Sequence, residues 1–221
     1  MMNLLLTGAT GFIGKHVLQE LLQKTKYKIT VMIRPDTKSR LNDFMDEVDI
    51  VEIDLTNIYK LRSYLSENIF EKIIHIGAIR GGRKYSKTDY FTANVKATEQ
   101  IALAAKEANS RLVFCSSVGV FGAIPLELPA NNQTQKQTDN YYHYTKIEAE
   151  KIIQKQVLYG LDAIIIRPAI TYGVGDYGFP YTLTKMIDKK ILFMPNKIVR
   201  IHLTNVHVLA EGFVKALNNN I

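Results

Sequence analysis

The sequence predicts an α/β protein: a doubly wound, mostly parallel sheet with helices on both faces and a small C-terminal lobe. Three observations predict it. Short apolar runs rich in β-branched residues recur along the chain, most of them are separated by stretches with apolar residues three and four apart, and the runs lack polar alternation. Strands without alternation belong to a sheet buried on both faces, and strands that alternate with helices need parallel crossovers. At 221 residues, 47% hydrophobic and 22% charged, the chain is long enough for one sizeable core.

The strand-like runs cover residues 3–6, 28–33, 50–53, 72–76, 111–115 and 163–167, and the clearest helical patterns cover 13–24, 95–108 and 144–157. The first run leads into Thr7-Gly8-Ala9-Thr10-Gly11-Phe12-Ile13-Gly14 and then the first helix. A glycine loop between a strand and a helix is a phosphate-binding signal. Gly8 makes the tight turn, Gly11 lets the backbone approach a pyrophosphate, and Gly14 lets the helix pack closely on the strand. The helix start adds free N–H groups and a positive dipole end.

The second run ends at Arg34, followed by Asp36, Lys38, Ser39 and Arg40. A guanidinium cannot accept hydrogen bonds from ribose hydroxyls, but it can pair with a 2′-phosphate, which tilts the cofactor expectation toward NADP. Asp36 keeps NAD open.

After the run at 111–115 come Ser116 and Ser117, and about 25 residues later Tyr142 and Lys146 stand four apart on a predicted helix. A free tyrosine is a poor base at neutral pH, so a lysine one turn away is placed to favour its phenolate. A serine hydroxyl can fix the same substrate oxygen. Tyr181 and Lys185 repeat the spacing, but they follow Pro180 in a later loop.

These motifs and their order resemble the short-chain dehydrogenase/reductase superfamily, and in particular its extended branch, the NAD-dependent epimerase/dehydratase family. The resemblance runs through almost the whole chain. It implies a Rossmann-type NAD(P)-binding domain over residues 1–172, a substrate-loop region over 173–197, and a return strand and helix over 198–221. It implies a catalytic set of Ser117, Tyr142 and Lys146, with Lys146 also on the cofactor. Ser117 is preferred to Ser116 because it stands five residues before Gly122. The implied cofactor contacts are Gly8, Thr10, Gly11, Phe12, Ile13 and Gly14 in the loop, Arg34 after the second strand, Asp54 and Leu55 at the adenine, Ile76, Gly77 and Ala78 along the backbone, Asn94, and Pro168 near the nicotinamide. His75 is read as a buried structural histidine.

The dehydratases that the chain resembles carry Asp-Glu directly after the hydroxyl residue; here those positions are Val118 and Gly119, which argues against elimination. A nucleotide-sugar epimerase remains the leading expectation. An NADPH-dependent carbonyl reductase, close to dihydroflavonol reductases and hydroxysteroid dehydrogenases, is the alternative. A non-catalytic NAD(P)-binding regulatory protein is a third. The loops at 122–140 and 173–195 are the candidate substrate loops. Extended members run further past Asn205 than this sequence does, where most carry aspartate.

A net charge of +7 comes from scattered Lys and Arg without a basic tract or nucleic-acid motif, so it suits phosphorylated small molecules rather than nucleic acid. Cys115 is the only cysteine, so no intramolecular disulfide forms. No targeting pattern and no run of membrane-spanning length is visible. A cytoplasmic protein without a membrane partner is expected. His202 and His207 lack companions for a metal site, so no metal is expected. A homodimer through the helices near 95–108 and 144–157 is implied by the resemblance.

Overall fold

A computed structural model of the chain describes residues 2–81, 85–191, 196 and 201–218. Six parallel strands form one sheet in the order β3-β2-β1-β4-β5-β6. They are β1 (Asn3–Thr7), β2 (Lys28–Ile33), β3 (Asp49–Glu52), β4 (Lys72–His75), β5 (Arg111–Cys115) and β6 (Asp162–Ile166). A short parallel pair, β7 (Ile170–Tyr172) and β8 (Leu203–Asn205), lies apart from the main sheet. The predicted doubly wound sheet is present, each strand within a residue or so of its expected limits.

The side-chain period of two divides each strand between two cores. Leu4, Leu6, Val31, Ile74 and Val113 point to a layer made by α1 (Phe12–Lys24) and α7 (Val206–Asn218). Leu5, Met32, Ile73, Leu112 and Phe114 point to the opposite layer, made by α2 (Ile58–Glu67), α4 (Ala97–Glu107) and α5 (Tyr141–Leu158). Two further α-helices, α3 (Lys87–Phe91) and α6 (Phe179–Asp188), complete the α-helices among the described residues, and Pro35–Phe44 forms a 3₁₀ helix after β2.

One expected helix changes its geometry. The pattern at 95–108 reads as a single α-helix, but residues Thr92–Lys96 form a π-helical turn before α4 begins. The wider turn buries Ala93, Asn94 and Val95 together. The third strand is one residue earlier than expected, because its register is set by pairing Val31 with Ile50.

The strand order reverses direction between β1 and β4, and in such sheets a crevice opens beyond the strand C-termini at that point. The loops after β1, β2, β4, β5 and β6 all converge there. Residues 192–195 and 197 of the expected substrate loop, and 198–200 and 219–221 of the expected return segment, lie outside the described residues.

Candidate active site

A cleft of about 520 Å³ runs across the C-terminal ends of the strands. Its floor at one end is the glycine loop. Gly8 holds a φ of +82°, and a Cβ there would lie 2.6 Å from the amide nitrogen of Gly77. A Cβ on Gly14 would lie 2.0 Å from the carbonyl oxygen of Gly8, so helix and loop can touch only without it. Gly11 differs. The nearest atom to its missing Cβ is 3.4 Å away, so its bareness serves the cleft rather than internal packing. Gly11 is also the N-cap of α1, with no side-chain cap and no acidic residue in the first turn. Thr10, Phe12 and Ile13 complete this wall and leave the helix start facing the cleft.

Arg34 and Arg40 line the cleft beyond β2. The Arg34 guanidinium donates to the Tyr85 hydroxyl and stands 3.8 Å from the Asp36 carboxylate. The Asp54 carboxylate accepts from the backbone nitrogen and the hydroxyl of Thr56, both at 2.8 Å, which fixes the turn that presents Asp54 and Leu55.

Ile76, Gly77 and Ala78 form the wall after β4, with the Gly77 amide donating to the Thr7 hydroxyl. Asn94 does not line the cleft. Its carbonyl oxygen accepts from the Ile79 amide, and its nitrogen donates to the Ile79 carbonyl and the Thr145 hydroxyl. Three of its four amide hydrogen bonds brace the β4 loop against α5, so in this structure Asn94 stands behind the cleft wall rather than on the expected cofactor surface. His75 is structural as expected: its ring nitrogens bond the Thr7 and Thr98 hydroxyls, and burial, helped by the Lys146 charge, lowers its pKa to about 3.

Ser117, Tyr142 and Lys146 all line the other end of the same cleft. Ser117 caps the 3₁₀ turn Val118–Phe121 by accepting from the Gly119 amide, which leaves its own proton free to donate. Bonds from the Ser116 amide to the Ile166 carbonyl and from the Val118 amide to the Pro168 carbonyl draw Pro168 into the wall.

The expected tuning of Tyr142 by Lys146 is not what the protein groups alone produce. Lys146 donates to the Cys115 carbonyl at 2.7 Å, and its ammonium stands 5.9 Å from the centre of the Tyr142 ring rather than on the hydroxyl. Burial, with the nearby Cys115 adding to it, pushes the Tyr142 phenol up, while the Arg80 charge pulls it down less strongly. Burial also brings Lys146 down, to about 8. Both groups therefore resist charge in the same desolvated corner.

Behind them, Glu150 is fully buried on α5 and takes a two-pronged ion pair from Arg167 at 2.8 Å on each oxygen, plus Lys136 at 2.6 Å. Its desolvation is outweighed by the bonds from Arg167 and Lys136, so its pKa is lowered. One carboxylate thus pins α5, the end of β6 and the 122–140 loop together.

A glycine cradle at one end and a Ser-Tyr-Lys set at the other of a single cleft is the arrangement that decides the family. The family model described as NAD dependent epimerase/dehydratase family matches residues 4–219. The chain belongs to this family.

Among related proteins, a UDP-glucose 4-epimerase of Caenorhabditis elegans is 30% identical over 174 residues, covering 69% of this chain and 48% of its own length. A UDP-glucose 4-epimerase of Klebsiella pneumoniae is 26% identical over 132 residues, 56% of this chain and 95% of that protein. The crystal structure of the Bordetella bronchiseptica enzyme WbmH in complex with NAD+ shares the fold, with a TM-score of 0.82 at 20% identity over 99% of this chain and 73% of that one. This family member spans about half the length of most of the curated relatives it matches.

Several cleft residues of this epimerase/dehydratase family member escaped the sequence reading. Arg40, Arg80, Tyr85 and Thr171 all line it. Arg40 follows Arg34 in the sequence as a charged neighbour, Arg80 and Tyr85 sit in loops with no periodic signal, and Thr171 lies on the three-residue strand β7. Among the described residues no cluster of His, Cys, Asp and Glu could hold a metal ion. No helix among them is long and apolar enough to cross a membrane.

Proposed function

We propose that this chain holds NAD in the glycine-loop cleft and moves a hydride from and back to one carbon–oxygen centre of a nucleotide sugar, inverting that centre. The observation that carries this reading is the shared cleft: the phosphate-binding loop and the Ser117, Tyr142 and Lys146 set face one continuous space. The cradle fits a dinucleotide, because Gly8 and Gly14 are closed to side chains while Gly11 is open toward the cleft.

In this reading the loop from Gly8 to Gly14 holds the pyrophosphate, Asp54 and Leu55 flank the adenine, and Ile76, Gly77, Ala78 and Pro168 back the remainder. Bound NAD supplies the hydride acceptor and, in its oxidised form, a positive charge that favours the Tyr142 phenolate. Ser117 donates its free proton to the substrate oxygen and fixes its direction. Tyr142 takes the hydroxyl proton as the carbonyl forms and gives it back on return. Lys146, locked to the Cys115 carbonyl, holds α5 and hence Tyr142 in register with Ser117.

NAD is preferred to NADP on two grounds. The family is described as NAD dependent, and Asp36 and Tyr85 already engage the Arg34 guanidinium. The second reading, an NADPH-dependent carbonyl reductase, is favoured by one observation: Arg34 and Arg40 both line the cleft and could together grip a 2′-phosphate.

The substrate-loop role of 173–197, and a homodimer built on α4 and α5, belong to the same proposal. The test is incubation of the purified chain with NAD and UDP-glucose or UDP-galactose, following the epimeric sugar by proton NMR. Interconversion of the two supports the reading. Stoichiometric consumption of NADPH with a carbonyl substrate, and no interconversion, overturns it in favour of the reductase.

A further inference from the structure

Arg80 is a cation of the cleft that the proposed chemistry leaves unused. It lines the cleft beyond β4, is exposed, and has no hydrogen-bond or ion-pair partner among the described residues. Its backbone is nevertheless held in place. The Ile79 amide and carbonyl both bond the Asn94 side chain, Asn94 also donates to the Thr145 hydroxyl, and that hydroxyl donates to the Tyr142 carbonyl at 2.7 Å. One buried side chain thus ties the residue before Arg80 to the turn of α5 that carries Tyr142. On the other side, Gly81 has a φ of +145°, and a Cβ there would meet nothing within 4 Å. The chain beside Arg80 opens into free space.

The charge of Arg80 is felt at the reacting corner. Burial leads the pKa shifts of Tyr142, Cys115 and Lys146, and Arg80 acts on all three, opposing the rise of the phenol and the thiol and adding to the fall of the ammonium. Arg80 and Lys146 therefore repel each other across this corner, and the oxidised nicotinamide of bound NAD adds a third positive charge. A guanidinium cannot relieve the repulsion by losing its proton. The acidic side chain among the described lining residues is Asp54, committed to Thr56 at the adenine end. Glu150, whose charge does reach Lys146, already holds Arg167 and Lys136. A negative group that arrives with the substrate offsets the excess, and a planar carboxylate matches a guanidinium with two parallel bonds.

We propose that Arg80 gives the site a preference for a nucleotide-linked sugar acid, one whose carboxylate lies close to the carbon that exchanges hydride, over a neutral sugar. The inference rests on the hydride reading above, which names the nucleotide-sugar class alone. The carboxylate stays intact, so the hydride cycle itself is unchanged. The cofactor pyrophosphate is the other anion that a guanidinium could grip, but the glycine loop and the uncapped start of α1 already provide for it.

The test is calorimetry of the NAD-loaded chain with UDP-glucuronate and with UDP-glucose, which reads the preference as binding and does not depend on turnover. Wild type binds the acid roughly 10- to 100-fold more tightly, the range of a charge-assisted pair. Arg80→Gln loses that preference and keeps NAD affinity near wild type, which also reports folding. Arg80→Lys keeps the charge but not the paired geometry, and retains part of the preference. Equal wild-type affinities for the two sugars, or a preference that survives in Arg80→Gln, overturns the proposal. So does a parallel fall in NAD affinity, which assigns the guanidinium to the cofactor phosphates. In each of these cases the hydride reading still stands or falls on its own epimerisation assay. Failure of both sugars to bind overturns the proposal together with the nucleotide-sugar reading.

Discussion

Lys146 donates from Nζ to the carbonyl oxygen of Cys115 at 2.7 Å, a fully enclosed bond between the middle of α5 and the C-terminal end of β5. The same ammonium lies 4.7 Å from the centre of the Phe114 ring. The lysine is thus fixed to the strand that leads to Ser117, and Tyr142 one turn earlier on α5 inherits that fixed distance. The geometry of the reacting end is set by backbone anchoring rather than by a direct Lys-Tyr bond.

Replacing Tyr142 with Phe should remove turnover and leave cofactor affinity near wild type, because the ring keeps its packing and only the proton-transferring oxygen is lost. A steady-state assay paired with nucleotide titration checks this. Retention of more than about a tenth of wild-type activity contradicts the assigned role.

The two inner glycines should fail in different ways. Gly11→Val should keep a near-native melting temperature and lose nucleotide binding, since only the Gly8 oxygen lies near its Cβ position. Gly14→Ala must push on backbone 2.0 Å away and should lower folding stability by about 1–3 kcal/mol. Denaturant titration beside nucleotide titration separates them. Equal effects on both readouts would argue against the division.

Much of this was legible in the sequence for a physical reason. The strand runs and the glycine loop are local signals, since a buried parallel strand needs apolar residues and a tight strand-to-helix turn needs glycine. Ser117, Tyr142 and Lys146 were legible by order and spacing. What local spacing could not supply was partnership across the fold. Asn94 carries the residue type of a ligand contact, yet the π-helical turn aims it at Ile79 and Thr145. The contact of Arg34 with Tyr85 and that of His143 with Gly119 depend on loops brought together by the sheet order, which no period encodes.

Glu150→Ala should cost about 3–5 kcal/mol of stability, because it strands the Arg167 guanidinium and the Lys136 ammonium beside a buried gap. Urea unfolding of the variant reads the loss. Glu150→Gln should lose less, since the amide oxygen still accepts one bond. A loss under 1 kcal/mol for the alanine variant would show that the network contributes little.

His75 gives a pH signature. Its folded pKa of about 3 lies below the ordinary histidine value of 6.5, so between those limits the unfolded chain binds a proton that the folded chain refuses. Stability from the neutral ring is therefore complete above pH 6.5 and is lost as pH falls toward 3. The difference in unfolding free energy between wild type and His75→Gln should shrink over that window as acid is added. A difference independent of pH would contradict the buried neutral histidine.

The most direct test of the account is calorimetric titration of the purified chain with NAD, NADH, NADP and NADPH, repeated on Gly11→Val. The account predicts binding of NAD and NADH in preference to their 2′-phosphorylated forms, and its loss in the variant. Absence of binding by all four nucleotides, or unchanged binding in Gly11→Val, would contradict the cofactor cleft on which the proposed chemistry stands.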